Sequence, residues 1–203
     1  MLEHQQPFDS LPEGRGSALP DEPGLRVTPL AAAGRLLLQS AASSSLRDAL
    51  KSELGLELPG PQEAVVRDNE ALLWLSPAEW LLELSASEIH SVQSALIGRL
   101  TASLTVVTDM SDALVSYEVG GVRAAEILMS GCSLDLRAHA FPGGRAARTA
   151  LADVPAIIWN PGGEPRHLRC IVDRSLAQHL RDWLLRQESS PQSPGFSLRT
   201  VDS

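Results

Sequence analysis

Val115-Ser116-Tyr117-Glu118-Val119-Gly120-Gly121-Val122-Arg123-Ala124-Ala125-Glu126-Ile127-Leu128-Met129-Ser130-Gly131 carries both periodicities of an α+β protein in one run. Val115, Tyr117 and Val119 alternate with Ser116 and Glu118, the period of two of a half-buried strand. Gly120-Gly121 breaks the alternation. Val122, Ala125, Leu128 and Met129 then share one face of a short helix that ends at Gly131, a residue suited to a left-handed cap.

The same two periods recur outward from this run. Ser45 with Asp48 resembles a capping box ahead of Leu46, Leu50 and Leu54, and Gly55 offers the stop. Ser85 with Glu88 forms a better box before the stripe Ile89, Val92, Leu96 and Leu100. A fourth helix spans 174–187, with Leu176, Leu180, Trp183 and Leu184 on its apolar face and Arg181, Asp182 and Arg186 elsewhere. Strands are expected at 35–39, 64–67, 71–75, 80–84, 104–107, 146–151, 156–159 and 168–172. Several links are too short for a parallel crossover, so those pairs are antiparallel hairpins. The order βα-βββ-α-ββα-βββ-α predicts an α+β fold, mainly antiparallel sheet with helices packed on one face.

Residues 1–29 hold Pro7, Pro12, Pro20, Pro23 and Pro29 among scattered Gly and acids, which supplies little apolar surface to offset ordering entropy. They read as an extended arm, and 188–203 as a tail of the same character. No Pro- or Gly-rich linker divides the body, so 30–187 is expected to be a single domain with two interlocked halves. A chain of 203 residues, 43% hydrophobic, buries roughly 70% of its unfolded surface and needs no staples. A net charge of −8 disfavours nucleic acid, whose phosphates call for clustered Lys and Arg. Cys132 and Cys170 form no close pair, and no stretch approaches the ~20 apolar residues of a membrane span. The start Met1-Leu2-Glu3-His4-Gln5 lacks the basic and apolar regions of a secretory signal, so a cytoplasmic setting without a membrane is expected.

The search for chemistry finds groups that cap and turn. Of His4, His90, His139, His167 and His179, none reads as standing four residues from another His or an acid in a metal-ligand pattern. His90 and His179 read as solvated helix-edge side chains. Cys132 follows a helix C-terminus, whose partial negative charge raises a thiol pKa, so a buried structural role outweighs a nucleophilic one. Gly120-Gly121 lacks the rest of any phosphate-binding motif and reads as a turn. Phe141-Pro142-Gly143-Gly144 lies among Arg137, Arg145 and Arg148, the densest basic patch in the chain, which suits an acidic partner surface or an anionic ligand as well as it suits a solvated loop. Asp109 and Asp112 are a carboxylate pair for acid/base work or, more simply, turn residues bonding their own backbone. Four tryptophans bring large apolar area: Trp80 and Trp183 follow core stripes, whereas Trp159, beside Asn160-Pro161-Gly162-Gly163, is the best interface candidate. No catalytic, cofactor-binding or metal-binding residue is assigned.

Three strings in order resemble one family. Trp74-Leu75-Ser76-Pro77-Ala78-Glu79-Trp80-Leu81-Leu82 resembles an L-x-P-x-E-W-L-L segment of the gamma subunit of heterotetrameric sarcosine oxidase. The stretch 124–136 with Phe141-Pro142-Gly143 and Arg148-Thr149-Ala150-Leu151-Ala152 resembles that family's A-x-x-L-x-x-G-C-x-x-D-L, F-x-x-G and R-T-x-L-A block. Val172-Asp173-Arg174-Ser175-Leu176-Ala177 with Trp183-Leu184 is similar to its closing helix. The resemblance implies a fold similar to the folate-binding domain of the glycine-cleavage aminomethyltransferase group. It also implies a place among alpha, beta and delta partner chains that oxidatively demethylate sarcosine to glycine, with formaldehyde or 5,10-methylenetetrahydrofolate and hydrogen peroxide as the other products. FAD, FMN and NAD are implied for the large subunits and no cofactor for this one. The family offers no catalytic motif to carry over. The expected role is therefore that of a non-catalytic structural and interaction subunit of an oxidoreductase. The competing reading is a stand-alone folate-binding one-carbon transferase domain, with Asp109 or Asp112 reaching the pterin.

Overall fold

A computed structural model describes residues 25–188 except 32, 42 and 164–166. Ten strands make two antiparallel sheets. The first has the order β3-β4-β5-β2-β6, built from β2 (Gly34–Ser40), β3 (Ala64–Arg67), β4 (Glu70–Ser76), β5 (Glu79–Leu84) and β6 (Thr105–Asp109). The second has the order β1-β7-β10-β9-β8, from β1 (Arg26–Pro29), β7 (Leu114–Gly120), β8 (Arg145–Leu151), β9 (Val154–Asn160) and β10 (His167–Asp173). Helices α1 (Ser43–Leu54), α2 (Ile89–Leu100), α3 (Ala124–Gly131) and α4 (Ala177–Glu188) complete the chain.

Burial sorts the side chains into three cores, and these fix the layering. Leu36 and Leu38 of β2 with Leu72, Trp80 and Leu82 meet Leu46 and Leu50 of α1 and Leu96 and Leu100 of α2. Val115, Tyr117 and Val119 of β7 with Leu168 and Ile158 meet Leu128 of α3 and Leu180 and Leu184 of α4. Between the sheets lie Ala71, Leu73 and Leu81 from one and Ala146, Ile157, Trp159 and Ile171 from the other. The order of layers is helix, sheet, sheet, helix, so each sheet is covered on both faces. That explains the nearly unbroken apolar runs of β4, β5 and β9, because a strand covered on both faces has no solvent side to alternate with. The expectation of antiparallel sheet carrying helices is met. Its single-face layout is completed by the second sheet.

Several local expectations need correction. Residues 26–29, assigned to the arm, pair with β7 from Arg26↔Gly120 to Pro29↔Tyr117; Pro29 is tolerated because β1 is an edge strand. The rest of the arm, 1–24, and the tail from 189 lie outside the described residues. Helix α1 starts at Ser43, so Ser45 sits inside it, whereas Gly55 does stop it at φ +66 with its N–H on Lys51 O. Glu88 flanks α2 without a side-chain cap; Ser85 Oγ pairs with Ser87 instead. Val122 precedes α3 and is 75% exposed. Gly131 is a helical residue without positive φ, and its need is spatial: a Cβ there would meet the Trp183 ring at 2.6 Å. Before α4, Asp173 caps a 3₁₀ turn by accepting from Ser175 N and Oγ at 2.8 and 2.6 Å.

Tyr117, the chain's one tyrosine, is 1% exposed and donates its hydroxyl to Ala177 O at 3.0 Å, tying β7 to the start of α4. Burial pushes its pKa up from 10.0 to about 12. Below pH 10 the phenol is neutral in folded and unfolded chains alike, so its full contribution is present there. As pH rises from 10 to about 12 the unfolded state loses the proton first, and stability is lost across that window. Native tyrosinate absorbance is therefore expected only near pH 12, with Tyr117→Phe removing this part of the alkaline stability loss. A native titration near pH 10 would contradict the burial argument.

Candidate functional site

Where the hydrophobic layer between the sheets gives out, its strands carry charge. The inward parity of β2, which places Leu37 in that layer, also points Arg35 into it, and the parity of Leu81 does the same for Glu83. Arg35 is 2% and Glu83 7% exposed. Arg35 donates Nε to Glu83 Oε1 at 2.8 Å, Nη1 to Leu114 O at 2.8 Å and Nη2 to Ser116 Oγ at 2.5 Å. One guanidinium from the first sheet is thus spent on its own sheet and on β7 of the second. A buried charge without such partners would be strongly unfavourable.

Beside this pair a cavity of about 350 Å³ opens between the sheets. On the first sheet's side it is walled by the β3–β4 hairpin, with Asp68, Asn69 and Glu70, and by Glu83. Arg67↔Glu70 closes that hairpin as a two-residue loop, and Asp68 sits at φ +51, a left-handed position an aspartate tolerates. On the second sheet's side stand Trp159 and Arg169, register partners on β9 and β10. The Arg169 guanidinium carbon stacks 5.1 Å from the Trp159 ring centroid. Trp159 Nε1 and Arg169 Nε are buried with no hydrogen-bond acceptor among the described residues. Burial, first, and then the nearby Glu88 and Asp68 charges push the Glu70 carboxyl up, while Arg67 pulls it down.

The residues singled out in the sequence lie elsewhere, with one exception. Trp159 is 1% exposed in the inter-sheet core, so it is corrected from a surface anchor to a core side chain whose ring also closes the cavity. The three arginines do not form one patch. Arg145 and Arg148 are three residues apart on β8, so a period of two sends them to opposite faces. Arg148 reaches Glu79 at 2.8 Å, and Arg137 forks onto Asp135 through Nε at 2.8 Å and Nη2 at 2.6 Å. That fork holds the Asp135 carboxyl well below the usual range. Arg145 makes no ion pair among the described residues.

Asp109 Oδ1 accepts from Ser111 N and Oγ at 2.9 and 2.5 Å, the turn geometry expected of it; Asp112 lies 3.9 Å from Arg174, and neither lines the cavity. His139 does stand four residues from an acid, Asp135, at 4.0 Å, correcting the spacing argument, yet the described residues hold no cluster of three metal-ligating side chains. His179 touches Ala152 O at 2.9 Å, His167 pairs with Glu118 at 3.7 Å, and His90 is exposed. His4 lies outside the described residues. Gly121, at φ +101, makes the turn before α3. The Phe141–Gly144 loop is structural: Asn160 Nδ2 holds Phe141 O at 3.0 Å and Gly144 N donates to Asn160 O at 2.8 Å. Both cysteines are unpaired thiols; burial pushes Cys132 up, and Cys170 up to about 12. No helix among the described residues is long and apolar enough to cross a membrane.

Sequence reading passed over Arg35, Glu70, Glu83 and Arg169. The available signal was a charge at inward parity inside an apolar strand, as in Gly34-Arg35-Leu36-Leu37-Leu38 or Leu168-Arg169-Cys170-Ile171.

Residues 39–192 match the profile of the Sarcosine oxidase, gamma subunit family. The chain is 31% identical over 153 residues to the sarcosine oxidase subunit gamma of Corynebacterium sp. (strain U-96), covering 74% of this chain and 73% of the relative. It is 28% identical over 167 residues to the subunit gamma of an Arthrobacter species, covering 81% and 80%. In structure it is similar to a chain of the heterotetrameric sarcosine oxidase from Corynebacterium sp. U-96 in complex with pyrrole 2-carboxylate, with a TM-score of 0.75, 27% identity, and 86% of this chain and 90% of that one covered. The fold is also that of part of the glycine cleavage system aminomethyltransferase T from Bartonella henselae, with a TM-score of 0.56 at 14% identity over 80% of this chain and 45% of that one.

Proposed function

The chain belongs to the sarcosine oxidase gamma subunit family, and we propose from that membership that it serves as the non-catalytic gamma subunit of a heterotetrameric sarcosine oxidase. In this reading alpha, beta and delta chains are its partners, FAD, FMN and NAD reside in the large subunits, and the assembly demethylates sarcosine to glycine in the cytoplasm. The observation that carries it is the structural match over 90% of a chain taken from such an assembly. The polar geometry agrees with it. Asp109, Asp135, Asp173 and Arg35 are all engaged in turning, capping or bracing this chain. A folate transferase acting alone would need Asp109 or Asp112 in a cavity, and Asp109 Oδ1 is held by Ser111. Arg145, the member of the basic trio without an ion pair among the described residues, is the cation this reading offers to an acidic partner surface.

Co-expression with the large subunits tests the role. The chain is expected to co-purify with them at moderate salt, and the isolated chain to bind no flavin and turn over no sarcosine. Loss of the chain from the assembly at moderate salt, or turnover by the isolated chain that one side-chain replacement abolishes, would overturn the proposal.

A further inference from the structure

We propose that the outer edge of β6 is a docking strip, and that an extended, largely uncharged segment of a large-subunit partner adds to the first sheet there as a further strand. The inference rests on the subunit role above and names a surface that serves it. Strand β6 pairs with β2 alone. Met110 N donates to Arg35 O, and Leu104 O accepts from Ala41 N, which sets the backbone groups of 104, 106, 108 and 110 against β2. Those of Thr105, Val107 and Asp109 therefore point outward. The Gln93 side chain of α2 agrees with this sense, since its Nε2 reaches Val107 O from outside at 3.3 Å. The N–H groups of Thr105, Val107 and Asp109 have no partner among the described residues.

Folded proteins blunt an open edge with proline, charge, a bulge or a cover, because it otherwise recruits a strand. The other three edges obey this. Strands β3 and β8 are tied together where Ala64 N donates to Gly144 O at 2.8 Å and Ala146 N to Gln62 O at 3.1 Å. On β1, Pro29 falls at an outward position, since Leu30 N, one residue on, donates inward to Ser116 O. In contrast, Thr105-Val106-Val107-Thr108 has no charge, no proline and an unbroken register with β2. Apolar side chains flank the edge on both faces. Leu104, 83% exposed, and Val106, 57% exposed, share the inter-sheet parity of Leu37 and Gln39 at a margin the second sheet leaves open. Ile97 stands one turn along α2 from Gln93, on the helix side. Among the described residues six large apolar side chains are exposed, and these are three of them, so the strip is the main apolar surface on offer. The charges around it are already engaged, Arg99 with Glu53, and Arg148 and Gln39 with Glu79. Its end carries one acid, Asp109. The complementary segment is therefore read by its backbone and by apolar residues on both its faces, with no acid opposite Asp109.

Hydrogen exchange resolved to single amides, on the isolated full chain and on the assembly co-purified with the large subunits, reads the edge directly. The amides of Thr105, Val107 and Asp109 are expected to exchange freely in the isolated monomer and to slow on the order of 100-fold in the assembly, whereas those of Val106 and Thr108 are protected in both. Thr105→Pro removes an outward N–H and no ladder bond, and Val106→Lys sets a charge in the strip. Each should lower the amount of chain retained by the large subunits at moderate salt on the order of tenfold. Val106→Lys, at an exposed position, keeps the parent's denaturant midpoint and carries the test if Thr105→Pro does not. Val122→Lys, at an exposed valine before α3, should be retained like the parent. Protection of the three outward amides already in the isolated monomer would give the edge to residues 1–24 or 189–203, and protection in an isolated dimer would give it to a second copy; either result overturns the proposal. So would an assembly in which those amides exchange as in the isolated chain, a Val106→Lys chain retained like the parent, or a Val122→Lys chain lost to the same extent as Val106→Lys. These results leave the subunit role standing, whereas a parent chain that fails to co-purify sinks both.

Discussion

Arg35→Met is expected to lower the stability of the isolated chain by about 3–5 kcal/mol, the cost of breaking a buried ion pair by removing one member. The guanidinium is 2% exposed and has three protein acceptors, Glu83 Oε1, Leu114 O and Ser116 Oγ, two of them on the opposite sheet. Met has a similar length and apolar volume, so the loss is electrostatic rather than a cavity effect. What remains is the Glu83 carboxylate, 7% exposed, with its nearest cation gone. Removing that residue as well should recover much of the loss. Arg35→Met with Glu83→Leu is therefore expected to be more stable than Arg35→Met alone, because well-packed apolar side chains commonly match a buried pair. Arg35→Lys should not rescue, since one ammonium lacks the planar fork that spans these acceptors. Denaturant midpoints of the four proteins decide the matter. A single substitution costing less than about 1 kcal/mol, the range of exposed pairs, would show that Arg35 does not brace the two sheets.

Much of the architecture was legible because periodicity reports burial. Every strand from β2 onward and all four helices follow stripes visible in the sequence, and the hairpin links forced antiparallel pairing. What escaped follows from a common physical cause, which is that pairing between distant segments leaves little local trace. Strand β1 has one apolar residue of four and is defined by its register on β7, about ninety residues later in the chain. The stacking of two sheets was present as runs such as Ala71-Leu72-Leu73-Trp74-Leu75, which a half-solvated strand does not have. Gly131 looked like a cap because it ends a helix; its actual constraint, the Trp183 ring, sits about fifty residues away in sequence. The basic trio looks like a patch because its members are close in sequence, although strand parity separates Arg145 from Arg148. The cavity was the least legible part. Arg35, Glu83 and Arg169 look like surface charges until it is recognised that their strands have no free face.

Trp159→Ala separates a core side chain from an interface anchor. It is expected to cost the isolated chain about 3–5 kcal/mol, the range for truncating a large aromatic in a packed interior. The ring lies among Ala146, Ile157 and Ile171 on its own sheet and Ala71, Leu73 and Leu81 across the layer. Truncation leaves a void bounded by both sheets, and strands held by ladder hydrogen bonds on either side have little freedom to close it. It also removes the aromatic face on which the Arg169 guanidinium stacks. Trp159→Phe should cost much less: it keeps most of the apolar area and deletes an indole N–H that has no acceptor among the described residues. An interface anchor would behave in the opposite way. Its truncation would leave the midpoint of the isolated chain nearly unchanged and weaken only the capture of partner chains. Denaturation of the purified chain, alongside co-purification of the same variant with the large subunits, tells the two apart. A stability loss under about 1 kcal/mol with failed assembly would return Trp159 to the surface role that its neighbouring turn first suggested.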